Sequence, residues 1–290
     1  MSKIIVFTVI VFSCFSLKSQ IDEPVLITNL DKIAGETSGL LFHNTELWTH
    51  NDSKGKSKLY SIDTLSGKII RSVTILNSNN RDWEDICKDD TYAYIGDFGN
   101  NSGARDDLKI YKIKLVDLEN QDLDSINSEI IEFEYNPNIY SGVFIKRNTT
   151  NFDCEAMISY KDSLYLFSKN WSDKKTYLYS LSKCPGKYSI SPKDTLNANA
   201  LICGADFDKI SNTLALIGYN KGIPAPSVVF IIKNFEADRF FNGDILKKEL
   251  SLNGCQTEGI IIKDHNKLWI SNEDFLNYNQ GLFLITNKLQ

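Results

Sequence analysis

The chain reads as all-β, a β-propeller of five four-stranded blades, on three observations. A pair of strands bearing acids or Asn recurs five times; each pair leads into a third apolar segment; and a lone strand near the start can supply the edge that the last unit lacks. Self-similarity on a period of roughly 20–50 residues marks solenoids, propellers and arrays, and four strands per unit is the propeller solution.

Taken in order, residues 1–19 read as an export signal, since Lys3 precedes an apolar run over 4–17 and Ser19 gives a small residue before Gln20. The expected mature chain, 20–290, is a single propeller domain. Cys14 offers an alternative, lipid modification after cleavage just before it, with Phe12 bulky for such a site. Beyond the signal no stretch of about 20 apolar residues could span a bilayer. The expectation is therefore an exported protein of the periplasm, cell surface or medium, with no integral membrane segment.

Next comes the lone strand at 24–28, then the five units. Their hairpins lie at 36–40 with 47–52, 84–86 with 93–98, 155–158 with 164–170, 205–207 with 214–220, and 258–261 with 268–273. Third strands at 59–62, 108–113, 177–181, 228–232 and 282–285 are rich in β-branched and aromatic residues. Fourth strands, with the polar alternation of an outer edge, lie at 68–75, 129–135 and 245–252. Polar Asn/Asp-bearing connections within each hairpin suit tight turns. The fifth unit ends after its third strand, so the strand at 24–28 closes the ring and removes two exposed sheet edges. The long spacing over 117–150 leaves a six-bladed ring as the alternative.

Composition narrows the function. A net charge of −5 without a basic stripe argues against a nucleic-acid partner. Five cysteines follow the signal (Cys87, Cys154, Cys184, Cys203 and Cys255), an odd number that leaves at least one unpaired. Buried free thiols are the expected state, with a bridge from Cys203 to Cys255 or Cys154 as the alternative.

In an antiparallel hairpin the start of the first strand meets the end of the second. The pairs Glu36 with Asn51, Glu84 with Asp97, Glu155 with Asn170, Asp206 with Asn220 and Glu258 with Asn272 are thus expected around one mouth of the central tunnel. Crowded carboxylates at low dielectric either hold protons or recruit a cation, and oxygen donors suit calcium. The candidate metal ligands are Glu36, Glu84, Asp97, Glu155, Asp206, Glu258 and Asn272. Strand-start carboxylates can equally serve the fold by accepting backbone N–H groups. Asp82 and Asp153 thicken the acid on two blades. Lys169, Trp83 and Trp171 are candidate ligand contacts, with a salt bridge that neutralises part of the acidic charge as the other reading of Lys169, while Trp48 and Trp269, at equivalent positions, suit packing between blades. There is no Gly-x-Ser-x-Gly elbow, Gly-rich phosphate loop or His-Glu-x-x-His. His50 is the one histidine near this mouth and a candidate general base, beside the ring carboxylates, with a structural role at its strand end as the alternative.

The phrases 36–40, 48–52, 82–86 and 96–101 resemble those of exported propeller proteins from Bacteroidetes-type bacteria, over nearly the whole mature chain. More distantly the chain resembles the calcium-dependent, TolB-like propellers of the gluconolactonase, paraoxonase and phytase-like esterase groups. That resemblance implies a calcium ion in the tunnel held by acid and amide side chains, a role Glu36, Glu84, Asp97, Glu155, Asp206, Glu258 and Asn272 could fill. Two functions follow: a non-catalytic module that binds calcium and a small molecule, glycan or protein on its acidic face, or a calcium-dependent hydrolase of ester, lactone or phosphoester bonds.

Overall fold

The computed structural model describes residues 20–53, 55–137, 145–220, 225–275 and 278–288. The signal reading over 1–19, Cys14 included, lies outside them.

The strands begin with β1 (Gln20–Ile21) and β2 (Val25–Asn29). The first blade holds β3 (Thr37–His43), β4 (Glu46–Asn51), β5 (Lys58–Ile62) and β6 (Ile69–Leu76). The second holds β7 (Trp83–Lys88), β8 (Tyr92–Asp97) and β9 (Leu108–Lys114), followed by the short helix α1 (Leu115–Glu119), β10 (Ser125–Asn127) and β11 (Glu129–Tyr135). Then come β12 (Cys154–Tyr160), β13 (Ser163–Ser168), β14 (Thr176–Ser182), β15 (Gly186–Ile190) and β16 (Asp194–Leu196). The fourth blade is β17 (Leu201–Asp208), β18 (Thr213–Tyr219), β19 (Pro226–Lys233) and β20 (Asp244–Asn253). The fifth is β21 (Thr257–Asp264), β22 (Lys267–Asn272) and β23 (Gly281–Lys288).

Five sheets form, and both β1 and β2 pair antiparallel with β23, so the N-terminal strand closes the ring as the sequence predicts. The alternation of apolar side chains along each strand puts them on the two faces of a blade, where they meet the neighbouring blades. Five apolar clusters result, one at each blade-to-blade boundary. Leu41, Trp48, Ile86 and Ile95 join blades one and two, and Leu40, Leu47, Ile261 and Leu282 join blade five back to blade one.

Two outer edges are finished in a way the sequence did not announce. The segment over 117–150 builds no further blade among the described residues; α1 caps blade one's flank and β10 pairs parallel with β6. Blade two likewise receives β15, parallel to β11, from the chain between β14 and β16 of blade three. Parallel partners come from distant sequence, so no hairpin signal marks them. Blade three closes with the short β16 against β14.

The inner strands approach closely at glycines. A Cβ on Gly259 would stand 2.5 Å from the Ser38 carbonyl oxygen, so only glycine lets blades five and one meet here. Asp85 ties the axis together: its Oδ1 accepts the Ile86 N–H at 2.8 Å, and its Oδ2 accepts those of Met157 at 2.7 Å and Ala205 at 3.3 Å, on blades three and four.

Candidate metal and ligand site at the acidic mouth

A β-bulge early in the first strand of each blade decides which side chains reach the tunnel mouth. In blade two Trp83 pairs with Asp97 and Asp85 with Gly96, leaving Glu84 as the extra residue. Glu155 is the extra residue of blade three and Cys203 that of blade four. In blades five and one the extra residue falls within Glu258–Gly259 and Ser38–Gly39. A bulged residue leaves the ladder and bends its strand, which re-aims the side chain. Glu84, Glu155 and Glu258 accordingly come together at one mouth, each 1–5% exposed.

The residues just before the bulges and just after the second strands complete the cluster. Asp82 and Asp153 stand on the first side, and Asp52 and Glu273 on the second. The Asp52 N–H donates to the Glu36 carbonyl at 2.8 Å and the Glu273 N–H to that of Gln256 at 3.0 Å, which fixes both acids at the rim. Glu36 is exposed at that rim. Carboxylate oxygens of Asp52, Asp82 and Glu84 lie within 4.8 Å of one another. Asp52 and Asp82 approach to hydrogen-bonding distance. Glu84 Oε1, Asp52 Oδ1, Glu155 Oε1 and Glu258 Oε2 are buried oxygens with no hydrogen-bond partner.

Such crowding raises the acids. Burial, then repulsion from Glu155 and Asp52, pushes Glu84 well above the carboxylate range. Burial, then Asp82 and Glu258, pushes Asp52 up to about 8; burial, then Glu258 and Asp52, pushes Glu273 up to about 9. Asp82 and Glu258 are raised by burial as well. Lys169 brings a cation into this group: its Nζ stands 3.1 Å from Glu155 Oε2 and 5.3 and 5.2 Å from the ring centres of Trp171 and Tyr219. Burial raises Glu155 and Lys169 opposes it. The Trp171 indole N–H donates to Asp153 Oδ2 at 2.7 Å, holding its ring beside the mouth.

Several expected site residues lie elsewhere. Asp97 is drawn into blade two, where its Oδ1 faces Arg105 at 3.0 Å and accepts the Asp82 N–H at 3.1 Å, and its Oδ2 accepts the Tyr111 hydroxyl proton at 3.2 Å. Asn272, by contrast, stays beside the mouth, paired with Thr257 one residue before Glu258; its amide donates to the Glu273 and Asn279 carbonyls, and its buried Oδ1 has no hydrogen-bond partner. Asp206 is three residues beyond the blade-four bulge and faces the opposite opening, where its Oδ2 accepts the Ile262 N–H at 2.7 Å. Cys203, not Asp206, holds the blade-four place of Glu84, and its thiol lies against Glu258. Trp83 is fully buried, donating its indole N–H to the Asn79 carbonyl at 3.0 Å. His50 is fully buried edge-on to Trp83 at 5.6 Å, and burial pulls it down to about 4. It packs two blades together rather than facing the opening. Sequence reasoning left Asp52 and Glu273 unassigned, although both end the recurring second-strand phrase. The five cysteines among the described residues are free, and of these Cys184 alone is exposed. No helix among the described residues is long and apolar enough to cross a membrane.

No family model matches the chain, and no curated protein matches it. Among solved structures it is similar to an exo-β-1,3-galactanase from Phanerochaete chrysosporium with galactose, at 9% identity and a TM-score of 0.52, covering 86% of this chain and 59% of the galactanase. It is also similar to a mannose phosphorylase from Leishmania mexicana, at 9% identity, a TM-score of 0.48 and coverage of 92% and 88%. A gluconolactonase from Xanthomonas campestris matches at 10% identity and a TM-score of 0.46, over 88% and 73% of the two chains. At these identities the galactanase shows a shared fold alone: the chain is a β-propeller, five blades closed by its own N-terminal strand.

Proposed function

We propose that this protein is an exported propeller whose acidic mouth binds a calcium ion and, beside it, a ligand. Asp52, Asp82 and Glu84 are the cation's first ligands, with Glu155, Glu258, Glu273 and Trp171 lining the space beside them. One observation carries the reading: Glu84 is 3% exposed, its Oε1 has no hydrogen-bond partner, and that side chain sits with the Asp52 and Asp82 oxygens inside 4.8 Å. A buried carboxylate without a partner is costly, and a hard divalent ion replaces the protons that crowding otherwise retains. An all-oxygen donor set favours calcium over zinc, which takes nitrogen and sulfur.

The test is thermal unfolding of protein freed of metal with a chelator, with and without calcium or magnesium. At free calcium one hundred times its Kd, binding stabilises the fold by about 2.7 kcal/mol. For a domain of this size that is a rise of several degrees. Glu84→Gln, which imitates the protonated acid, should unfold normally and lose the rise. An unchanged midpoint in wild type, with no metal found by elemental analysis, would overturn the proposal.

Hydrolysis is the second reading, favoured by the mixed electrostatics of the mouth. Glu84 is pushed towards its acid form while Glu155 faces the Lys169 ammonium. Burial raises both carboxyls, and at Glu155 the Lys169 ammonium opposes the rise; carboxyls whose surroundings differ in this way can divide general-acid and general-base roles. Chelator-sensitive turnover of an ester, lactone or phosphoester panel would select this reading; inactivity on all three leaves the binding module.

A further inference from the structure

The opposite opening holds a cavity of about 820 Å³ to which all five blades contribute, including Phe42, Lys88, Tyr160, Lys161, Phe207 and Ile262. Its charged groups are unequally satisfied. Asp89 faces Lys183 at 3.0 Å, Asp90 faces Lys209, and His43 faces Glu119 at 2.8 Å. Asp206 and Asp208 are engaged by N–H donors, from Ile262 in one case and from Ile210 and Ser211 in the other. Lys88 and Lys161 have no carboxylate within ion-pair distance among the described residues. Among the described residues the Lys88 ammonium hydrogen-bonds His43 Nδ1 alone, at 3.5 Å, with the Asp206 and Asp90 carboxylates among its charged neighbours, and that of Lys161 lies 5.1 Å over the Tyr160 ring.

Formal charges at this opening nearly balance, but hydrogen-bonding capacity does not. The carboxylates have their donors, whereas two exposed ammonium groups have no carboxylate ion-pair partner among the described residues and stand beside an aromatic wall of Tyr160, Phe207 and Phe42. Tyr160 and Phe207 already stack edge to face at 5.0 Å, which holds their rings in place. Pockets with apolar, aromatic walls and a few convergent polar groups are the usual form of small-molecule sites.

We infer that this second opening is a binding site for a small aromatic anion, its ring against Tyr160 and Phe207 and its anionic group between Lys88 and Lys161. The site is separate from the acidic mouth, from which Asp85 and the packed inner strands divide it.

The test titrates the full-length mature chain with 8-anilinonaphthalene-1-sulfonate, followed by fluorescence, with phenyl phosphate as competitor. Saturable one-to-one binding that phenyl phosphate displaces is expected. Lys88→Met should weaken it about tenfold and the pair Lys88→Met, Lys161→Gln about a hundredfold, each step being the worth of one charged contact. Lys88→Arg should keep most of the affinity, and Glu84→Gln at the far mouth should leave it unchanged. Wild-type affinity should also fall as salt rises, a reading that needs no variant. Failure to saturate, a flat salt dependence, or undiminished binding in a folded double variant overturns the assignment. None of these outcomes bears on the calcium site.

Discussion

Lys169 Nζ stands 3.1 Å from Glu155 Oε2 with both side chains buried, and the ammonium is flanked by Trp171 and Tyr219. It sets a positive charge among the acids that crowd this mouth. Removing one partner of a buried ion pair leaves the other uncompensated, at a typical cost of about 3–5 kcal/mol. Lys169→Met should destabilise the protein by about that amount in chemical denaturation at neutral pH. Glu155→Gln in the same chain should recover much of the loss. If the double variant is no more stable than Lys169→Met alone, the pair is not the source of the effect.

Gly99 offers a test of the cation site that changes no charge. A Cβ there would overlap Glu84 Oε1 and stand 2.6 Å from Asp82 Oδ2, so alanine must push both carboxylates aside. Ligand oxygens need to be held within a few tenths of an ångström to bind a metal well. Gly99→Ala is expected to abolish the calcium-dependent rise in the unfolding midpoint. The chelated proteins should differ by only about 1–2 kcal/mol, as for a small overpacking change. A calcium response that survives the substitution would place the ion elsewhere.

The blade architecture was legible because strand alternation and hairpin turns are local signals, and the lone N-terminal strand had one vacancy to fill. The site was legible only in part, since a bulge shifts side-chain direction by one residue without a sequence mark. Aligning Asp206 with Glu258 missed that Cys203 occupies the bulge of blade four. Glu84 and Asp85 are neighbours in sequence, yet one serves the mouth and the other the axis. Asp97 read as a ligand because its partner Arg105 comes from the next loop, which periodicity does not place.

Asp206 gives the pH dependence at the opposite opening. Burial pushes its carboxyl up to about 6, with the Ile262 and Phe207 N–H groups pulling the other way. An acid raised in the folded state contributes stability that is complete below its unfolded value, 3.8 here, and is lost as pH rises through about 6. Asp206→Asn keeps an acceptor for Ile262 and cannot ionise. The variant should therefore gain on wild type between about pH 4 and 6, by up to about 3 kcal/mol and less where solvent screens the site. Parallel stability curves across that window would show that the carboxyl is not raised.

Asp85 joins three blades at the axis. Its carboxyl accepts N–H groups from Ile86, Met157 and Ala205 and is buried to 1% exposure. Asp85→Ala would strip three buried donors of their acceptor, each worth about 1–3 kcal/mol when left unmade. Water entering the vacated space would offset part of that, so a net loss of about 3–5 kcal/mol is expected. Hydrogen exchange locates the effect: the Met157 and Ala205 amides should lose protection beyond the global change, while amides in the outer strands β11 and β20 follow the global change alone. Uniform loss across the ring would mean that Asp85 acts through general packing and not as the bond between blades two, three and four.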